Sequence, residues 1–480
     1  MEYSIVNYIT VKENSDFRID AEYYHPVNLK NDKLLQKFNS FYFKDIADIK
    51  FGTTPSGANF LEKGIPFIRS QDFPNGFIDD ANAVFISEED HLKQKKSGLQ
   101  NKDVLIAAVG ATIGKIAFCL NMKDGNINQN IARLRLKDKN IFPEFLFVFM
   151  LSKFGQYQLG KLNTGNAQSY LNSQNIASLS IIELKYDFQE LIKRIVIKSH
   201  FFITQSKDFY FQAEQLLLLE LGLLNWKSKQ ELAFVKNFSD TQKSDRFDAE
   251  YFQPKYEEII EAVKRYKGGS NELGNLVKIR KSIEPGSEAY QESGIAFVRV
   301  SNLSKFELSN NNQQFISEKL YDGLKNYQPK KDEILLSKDA TPGIAYYLNE
   351  EPNQMIVSGG ILRLKIVSHQ ILPEYLTLIL NSIVVQKQIE RDVGGSVINH
   401  WRPDQIKATK IPILKNTKQK EIKKLIKKSF FNRKQSKSLL EIAKRGVEIA
   451  IEKTEEEAQK WIYFELNKIG INLSIKKKQR

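Results

Sequence analysis

The sequence repeats itself over a length that matches a whole domain. "RIDAEYYHP" at Arg18 returns as "RFDAEYFQP" at Arg246, with six of nine positions identical. "GIPFIRS" at Gly64 returns as "GIAFVRV" at Gly294, an offset of 230 residues. Because other segments keep nearly the same offset, a chance match does not explain the pattern. The chain is therefore predicted to contain two copies of one folding unit, followed by a short tail.

Composition limits the class of protein. The 480 residues suggest two to four domains. The single cysteine, Cys119, excludes an intramolecular disulfide framework and fits a reducing cytoplasm. The start has no secretory pattern, and the longest apolar runs are far below the ~18 residues of a membrane span. A soluble, cytoplasmic protein that does not enter a membrane is expected. The net charge of +14 indicates a polyanionic partner, although weakly by itself.

Each copy divides into a mixed domain and a long helix. Residues 1–186 and 231–414 combine short β-type runs such as "GIPFIRS" and "DVLIAAVG" with helical segments such as "PEFLFVFMLSKFGQYQLG". Residues 187–230 form a central helical spacer, and residues 415–480 form a C-terminal helix with a basic tail. The prediction is an α+β fold in which two tandem duplicated domains are separated by two long antiparallel helices. The helices form a coiled coil, and a pseudo-twofold relates the domains.

The coiled coil is predicted from a seven-residue repeat. The apolar positions of the first helix are Phe188, Ile195, Phe202, Phe209, Leu216 and Leu223. The second helix is less regular, because Ser429, Asn432 and Ser436 interrupt its apolar stripe. The residues predicted to pair the helices are Ile195, Phe202, Phe209, Leu216, Leu425, Leu439 and Val447. The alternative is that each helix packs separately against its own domain.

Catalytic motifs are missing from the sequence. The nearest match to a phosphate-binding loop, "GATIGKI" at Gly110, is one residue short and is interpreted as a turn after a strand. None of the five histidines lies at ligand spacing from another or from the cysteine, so a zinc site is not expected. A large basic duplicated chain of this kind is interpreted as a binding protein rather than an enzyme.

Candidate DNA-contacting residues lie at strand ends and in the loops where the two copies differ. Arginine, asparagine and glutamine side chains distinguish guanine and adenine edges, although ordinary loops contain them too. Divergence between the copies fits readers of two different half-sites, and neutral drift would also produce some of it. The candidates are Arg69, Ser70, Gln71, Gln129, Gln168 and Tyr170 in the first copy, and Arg299, Ser301, Asn302, Lys338, Asn399 and Arg402 in the second.

A basic segment lies in the second helix. Between Lys415 and Lys437 there are ten lysines and arginines and one acidic residue, Glu421. A solvated helix face, a contact with phosphates and a contact with an acidic protein all remain open.

Taken together, "GIPFIRSQDF", "DVLIAAVGATIGKIAF", "NINQNIARLRL" and "NTGNAQSYLNSQNIASLSI" resemble the DNA-specificity subunit of type I restriction–modification systems. The resemblance covers nearly the whole chain. It implies two target-recognition domains, each reading one half of a split, asymmetric site in double-stranded DNA. It also implies a non-catalytic chain whose helices dock two copies of a methylation subunit, with a restriction subunit as an optional further partner. No cofactor is expected in this chain, and S-adenosylmethionine is expected in the methylation partner.

One departure and two alternatives accompany this resemblance. The proline-rich stretch that often precedes the helix is reduced to "IPI" at Ile411, which leaves the helix starts open. The repeated "DAEYY" and "DAEYF" are predicted to start a framework helix whose aromatic residues pack onto the domain. The alternatives are a DNA nuclease or modification enzyme with a degenerate site, and a scaffold that binds only proteins.

Overall fold

The computed structural model describes residues 4–12, 18–55, 57, 60–73, 76–79, 83–163, 170–393 and 400–473. The chain forms two compact units. The first consists of Met1–Thr204 and Asn432–Arg480, and the second of Gln205–Phe431. The division passes through the middle of both long helices, so each unit contains part of each helix. The domain boundaries drawn from the sequence stay predictions.

The helices of the chain, in order, are α1 Tyr8–Lys12, α2 Pro26–Leu35, α3 Phe43–Ile46, α4 Glu88–Lys93, α5 Pro143–Leu151, α6 Lys153–Leu162, α7 Ser173–Ser178, α8 Tyr186–Glu220, α9 Phe238–Ser244, α10 Pro254–Arg265, α11 Leu273–Leu276, α12 Glu318–Leu324, α13 Pro373–Asn381, α14 Ile383–Val393, α15 Pro403–Ala408, α16 Asn416–Glu452 and α17 Glu455–Lys468. The two longest are α8 and α16, which correspond to the two long helices predicted from the sequence.

The strands of the first unit are β1 Ser40–Tyr42, β2 Ala47–Phe51, β3 Ile65–Ile68, β4 Val84–Ile86, β5 Val104–Ala107, β6 Ile116–Phe118, β7 Asn126–Ile127, β8 Ile131–Leu136 and β9 Ser180–Ile182. Those of the second are β10 Ser270–Glu272, β11 Val277–Arg280, β12 Ile295–Val298, β13 Gln314–Ile316, β14 Glu333–Ser337, β15 Ala345–Tyr347, β16 Met355–Val357, β17 Ile361–Ile366 and β18 Lys410–Pro412.

The sheet topology confirms the duplication. The first unit has sheets of order β2-β8-β5-β6, β4-β3-β7 and β1-β9. The second has β11-β17-β14-β15, β13-β12-β16 and β10-β18, which is the same arrangement strand for strand. In each unit the four-stranded sheet is antiparallel, and one pair of the three-stranded sheet is parallel. The α+β fold in two tandem copies is thus confirmed.

Apolar composition explains why the central elements are buried. All four residues of β5 are buried, and a strand with both faces covered needs no polar alternation. Helix α5 is apolar on all sides, with seven of its nine residues buried, as expected of a helix inside a core. Pro143 occupies its first turn, where the missing amide proton costs nothing.

The segment predicted as one helix after Phe142 is two helices in the structure. Ser152 separates α5 from α6 with an extended backbone (φ −68°, ψ 161°). Its hydroxyl donates to the carbonyl oxygen of Phe149 at 2.6 Å, which satisfies a group that the broken helix leaves open. Ser382 makes the same break in the second unit, with its hydroxyl 2.8 Å from the carbonyl oxygen of Ile379.

The repeated "DAEYY" motif was predicted to start a helix, and this is wrong. It forms a turn, and α2 begins only at Pro26. The carboxylate of Asp20 accepts a hydrogen bond from the backbone amide of Tyr23 at 3.0 Å and pairs with the Arg18 guanidinium at 2.8 Å. This turn is preferred because an aspartate carboxylate can satisfy the amides that follow it. Tyr24 is buried, as predicted for packing.

The second copy of the motif has the same geometry. The carboxylate of Asp248 accepts from the Tyr251 amide at 3.0 Å and pairs with Arg246 at 2.5 Å. In both copies the guanidinium lies 4.8 Å from the centre of the tyrosine ring. The repeated nonapeptide therefore encodes a turn held by an arginine, an aspartate and a tyrosine, after which a proline starts a helix.

Within each unit the segments of α8 and α16 pack antiparallel. In the first unit Ser199 meets Ser436, and the amide of Lys185 before α8 reaches Glu455 at the start of α17. In the second unit Ser206 meets Ser429. The end of α8 there lies beside the start of α16, where an ion pair of 3.3 Å joins Glu220 to Lys418. The paired-helix prediction is confirmed, and the pseudo-twofold stays a prediction.

The buried seam is displaced from the predicted seven-residue series. Ile195, Leu439 and Val447 are buried, whereas Phe202, Phe209, Leu216 and Leu425 are half-buried. Eight of the buried positions of α8 follow alternating steps of three and four residues, which keep a helix face on its partner. They are Ile192, Val196, Ser199 and Ile203 in the first unit, and Ser206, Tyr210, Ala213 and Leu217 in the second.

Across the described residues, none of the helices combines the length and the apolar character that a membrane crossing requires.

Candidate nucleic-acid interface

In the first unit, the ends of several strands meet at one edge of the domain. β2 and β5 run antiparallel to β8, so their last residues lie beside the first residues of β8. β3 runs parallel to β7, and the turn after β7 follows the same edge. The amide of Asn128 in that turn donates to the carbonyl oxygen of Ile68 at 3.2 Å. Residues 52–54, 69–71, 108–110 and 128–130, with Tyr170, are called the first loop edge.

Gly52 is required for this convergence. A Cβ atom at this position would lie 2.1 Å from the carbonyl oxygen of Ile127 and 2.2 Å from that of Asn128. The end of β2 can therefore approach the β7–β8 turn only because residue 52 has no side chain.

Five of the predicted DNA-contacting residues belong to the first loop edge, namely Arg69, Ser70, Gln71, Gln129 and Tyr170. Gln129 is exposed, and its side-chain oxygen accepts a hydrogen bond from the hydroxyl of Thr54. Tyr170 is 47% exposed, and its ring centre is 6.5 Å from that of Phe51. Tyr170 is also held by a β-bridge to Val109. An amide and an aromatic ring are thus presented at the loop edge, each held by a neighbouring residue.

Arg69 and Arg299 have structural partners. The Nε and Nη2 atoms of Arg69 donate hydrogen bonds to the buried Asp72 carboxylate, at 3.1 and 3.2 Å. The Arg299 guanidinium donates to the carbonyl oxygen of Asn312 at 2.7 Å. In both copies the arginine stabilises the short turn after a strand, which places its charge near the loop edge.

Asn302 is buried and closes a loop. Its amide nitrogen donates to the carbonyl oxygens of Ser309 and Asn311, at 3.0 and 2.8 Å. Its side-chain oxygen accepts from the Arg299 amide at 3.0 Å. Because its side chain is fully buried and these bonds occupy its amide, we assign Asn302 a structural role instead of the predicted base contact. Sequence could not separate these roles, since asparagine serves both.

The remaining predicted residues differ in accessibility. Gln71 and Ser301 are exposed, and Ser70 is half-buried. Arg402 is 62% exposed, and its guanidinium lies 3.4 Å from Asp404. The predictions at Gln168 and Asn399 lie outside the described residues.

The second unit has an equivalent loop edge, made of residues 299–301, 338–340 and 358–360 with His400. The ammonium of Lys338 pairs with the Asp339 carboxylate at 2.5 Å, and Asp339 also bonds His400. A β-bridge joins Asp339 to His400. Ala340 holds a left-handed backbone (φ 59°), which is rare for a residue with a Cβ atom. Such strain persists only where the surrounding structure fixes it.

The two loop edges place different chemistry on the same positions. Asp339 and His400 follow Val109 and Tyr170 by 230 residues, and each pair forms the same bridge. Ala340 likewise follows Gly110, whose φ is 70°. A valine and a tyrosine in the first unit are therefore replaced by a carboxylate and an imidazole in the second.

Sequence reasoning missed Thr54, Asp339 and His400 as members of the loop edges. A signal was available for His400, because the constant offset matches it with the predicted Tyr170. Asp339 directly follows Lys338, which was predicted. Thr54 had no such signal, since only the folded backbone brings it to Gln129.

The "GATIGKI" segment is a turn after β5, as predicted. Gly110 and Gly114 both have positive φ, at 70° and 83°. Burial lowers the pKa of Lys115 from its ordinary value, which makes its charge less favourable there.

The side chains of the loop edges suit the edges of DNA bases. Amide, hydroxyl, carboxylate and imidazole groups supply donors and acceptors that distinguish base pairs in the major groove. In the part of the chain that the structure describes, no three histidine, cysteine, aspartate or glutamate side chains are grouped so as to hold a metal ion.

Comparison with known proteins gives a family match in both halves. The family model for the type I restriction modification DNA specificity domain matches residues 35–195 and 269–437. The EcoBI specificity subunit of a type I restriction enzyme from Escherichia coli is 29% identical over 136 residues, which cover 28% of each chain. The MjaVIII specificity subunit from Methanocaldococcus jannaschii is 25% identical over 142 residues, covering 29% of this chain and 33% of that one. The matched part thus spans about a third or less of these relatives.

Solved structures were also matched along most of the chain. The type I restriction–modification S subunit from M. genitalium aligns at 11% identity and a TM-score of 0.36, covering 91% of this chain and 97% of the other. The HsdS subunit from Thermoanaerobacter tengcongensis aligns at 14% identity and a TM-score of 0.25, covering 90% and 96%. The two family matches coincide with the two sequence repeats, and together they cover more than half of the chain. The chain therefore belongs to the family of type I restriction–modification DNA specificity domains and contains two of them.

Proposed function

We propose that the chain is the sequence-specific DNA-binding subunit of a type I restriction–modification complex. Each unit reads one half of a bipartite, asymmetric site in double-stranded DNA. The observation that carries this proposal is the pair of loop edges. Val109 and Tyr170 in one unit are replaced by Asp339 and His400 in the other, on the same backbone bridge. One scaffold with different side chains is what two readers of different half-sites require.

The partners we infer are two copies of a methylation subunit and, in a complete system, a restriction subunit. The duplication supports two copies, because α8 and α16 come from the same repeated segment and offer related surfaces. Phe201 on α8 and Phe431 on α16 stand at equivalent positions and are 47% and 59% exposed. Exposed apolar side chains of this kind are suited to a protein partner.

We infer that the chain itself is not catalytic and that S-adenosylmethionine binds to the methylation partner. The residues of the loop edges supply hydrogen bonds and charge rather than a nucleophile held by a base. The role of this chain is to place the partner on DNA at a chosen sequence.

The proposal is tested by selecting bound duplexes from a random library with the co-expressed complex. The expected result is two conserved half-sites separated by a spacer of fixed length. A selected pool with one continuous motif, or with no motif, would contradict the proposal.

A further inference from the structure

Helix α16 presents a row of lysines in the second unit. The lysine face is defined here as Lys420, Lys424 and Lys428, which are all exposed. They are four residues apart, so they follow one side of the helix with a step of about 6 Å along its axis. Duplex DNA carries one phosphate per about 3.4 Å of axis on each strand, so each lysine of such a row can meet a phosphate.

The charge of the lysine face is not compensated locally. Among the described residues, none of its three ammonium groups takes part in an ion pair, and that of Lys428 lies 5.1 Å from the centre of the Phe209 ring. The neighbouring Lys423 and Lys427 approach the buried Glu374 carboxylate, at 3.3 and 4.0 Å. The Glu374 carboxylate is thus shared by two other lysines, and Glu421 pairs with Lys418 at 3.5 Å.

The equivalent face of α8 is different. Glu190 stands at the position of Lys420, and its carboxylate pairs with the next two basic residues of that helix at 2.9 and 3.3 Å. Arg194 and Lys198 stand at the positions of Lys424 and Lys428, so the row on α8 contains one acidic and two basic residues, whereas the lysine face contains three lysines. A surface that served only the duplicated docking of one kind of partner would not need this difference. The lysine face therefore carries more uncompensated positive charge than its counterpart on α8.

The chemistry of lysine favours phosphate over a protein surface. Lysine is depleted at the cores of protein interfaces, where aromatic residues and arginine are enriched. Its ammonium is a strongly hydrated point charge that suits contacts without geometric selectivity, such as contacts with the DNA backbone.

We propose that Lys420, Lys424 and Lys428 bind backbone phosphates of the DNA duplex without reading its sequence. This inference rests on the proposed function, since it takes DNA as the ligand of the chain. The contacts add affinity equally for every sequence, while the loop edges supply the discrimination.

The test is the salt dependence of binding to a duplex of random sequence, measured with the full chain in complex with its methylation subunit. Each phosphate contact contributes about 0.9 to the slope of log affinity against log salt concentration. The variant with Lys420→Gln, Lys424→Gln and Lys428→Gln should lower the magnitude of that slope by roughly 2.7. Replacement of the same residues by arginine should restore it.

A matched control separates local contact from net charge. Lys444→Gln, Lys453→Gln and Lys468→Gln remove the same number of charges from residues that each pair with a nearby glutamate. This control should change the slope by less than the value of about 0.9 that one phosphate contact contributes. Should the triple variant prove unstable in thermal unfolding, Lys420→Gln alone should lower the slope by about 0.9.

An unchanged slope in the triple variant overturns the inference. If the triple variant also lost the methylation subunit while the slope stayed the same, the face would bind an acidic protein surface instead. The proposed function has a separate readout, which is the preference of the wild-type complex for one sequence over others. If the triple variant had a lower slope but the wild-type complex preferred no DNA sequence, the proposed function would be contradicted. The inferred phosphate contacts would still be supported.

Discussion

The hydroxyl of Ser199 on α8 lies 2.9 Å from the hydroxyl of Ser436 on α16 and donates to the Ser436 carbonyl oxygen, also at 2.9 Å. Both serines are buried in the first unit. A polar pair inside an apolar seam is tolerated because each hydroxyl satisfies the other. These serines explain why the second helix breaks the apolar pattern.

The same contact occurs in the second unit with the helices exchanged. There Ser429 of α16 donates to the carbonyl oxygen of Ser206 on α8 at 2.8 Å. Ser429 is the copy of Ser199, and Ser436 is the copy of Ser206, at the offset of 230 residues. Each copy of the repeat therefore supplies one member of both pairs. Two identical antiparallel helices that each carried these two serines would form both pairs.

The serine pair should be coupled in stability. Ser436→Ala should cost about 1 kcal/mol, because it removes one hydroxyl from a buried pair. The double variant Ser199→Ala with Ser436→Ala should cost less than the two single variants added together. Denaturant unfolding of the four proteins measures the coupling, and Thr204→Ala on the exposed side of α8 is the control. Strict additivity would show that the two hydroxyls do not depend on each other.

The register of the seam predicts which apolar residues matter most. Ile203 is buried and Phe202 is half-buried, although Phe202 belongs to the seven-residue series. Ile203→Ala should destabilise the protein by about 2–5 kcal/mol, and Phe202→Ala should destabilise it less than a fully buried phenylalanine would. Thermal unfolding compares the two. A larger loss at Phe202 would contradict the register.

The sequence predicts the fold well because duplication and apolar periodicity are both visible in it. The strict repeat of seven marks one row of the helix, whereas packing uses two adjacent rows, so the repeat includes the buried Ile195 and omits the buried Val196 and Ser199. Ser199 could not be recognised as a seam residue, since its polarity is compensated only by Ser436 on the second helix.

The candidate site shows a similar limit. Residue type predicted Gln129 and Asn302 alike, yet one is exposed and the other is fully buried. Sheet topology determines which side chains reach the loop edge, and the sequence of a single segment does not reveal that topology.

The arginine–aspartate turn predicts a pH effect in the second unit. The hydrogen bond from Arg246 lowers the pKa of Asp248 below its usual value. A lowered folded-state pKa stabilises the fold above the unfolded pKa, near 3.8, and this stabilisation is lost as pH falls through the folded pKa. Asp248→Asn should therefore lower the melting temperature at neutral pH and reduce its further fall in acid.

Thermal unfolding across the acidic range tests this effect. Asp245→Asn is the matched control, because Asp245 is an exposed carboxylate three residues earlier in the chain. If Asp248→Asn retained the full acid sensitivity of the wild type, the turn would not be the source.

The second loop edge should determine one half-site only. Replacing Asp339 and His400 by the valine and tyrosine of the first unit should change base preference at positions read by the second unit, by about 1–3 kcal/mol for each lost base contact. Selection from a random duplex library measures both half-sites at once. Lys319→Ala, on an exposed helix of the same unit, is the control and should leave both half-sites intact. A change in the half-site of the first unit would argue against local readout.

The central claim is that the two units read DNA independently, and exchange of one unit tests it most directly. Residues 1–186 are replaced by the equivalent domain of another specificity subunit, and methylated sites are sequenced in cells that contain the methylation partner. The account predicts that one half-site changes while the other half-site and the spacer length stay the same. If both half-sites changed together, or neither changed, the account would be contradicted.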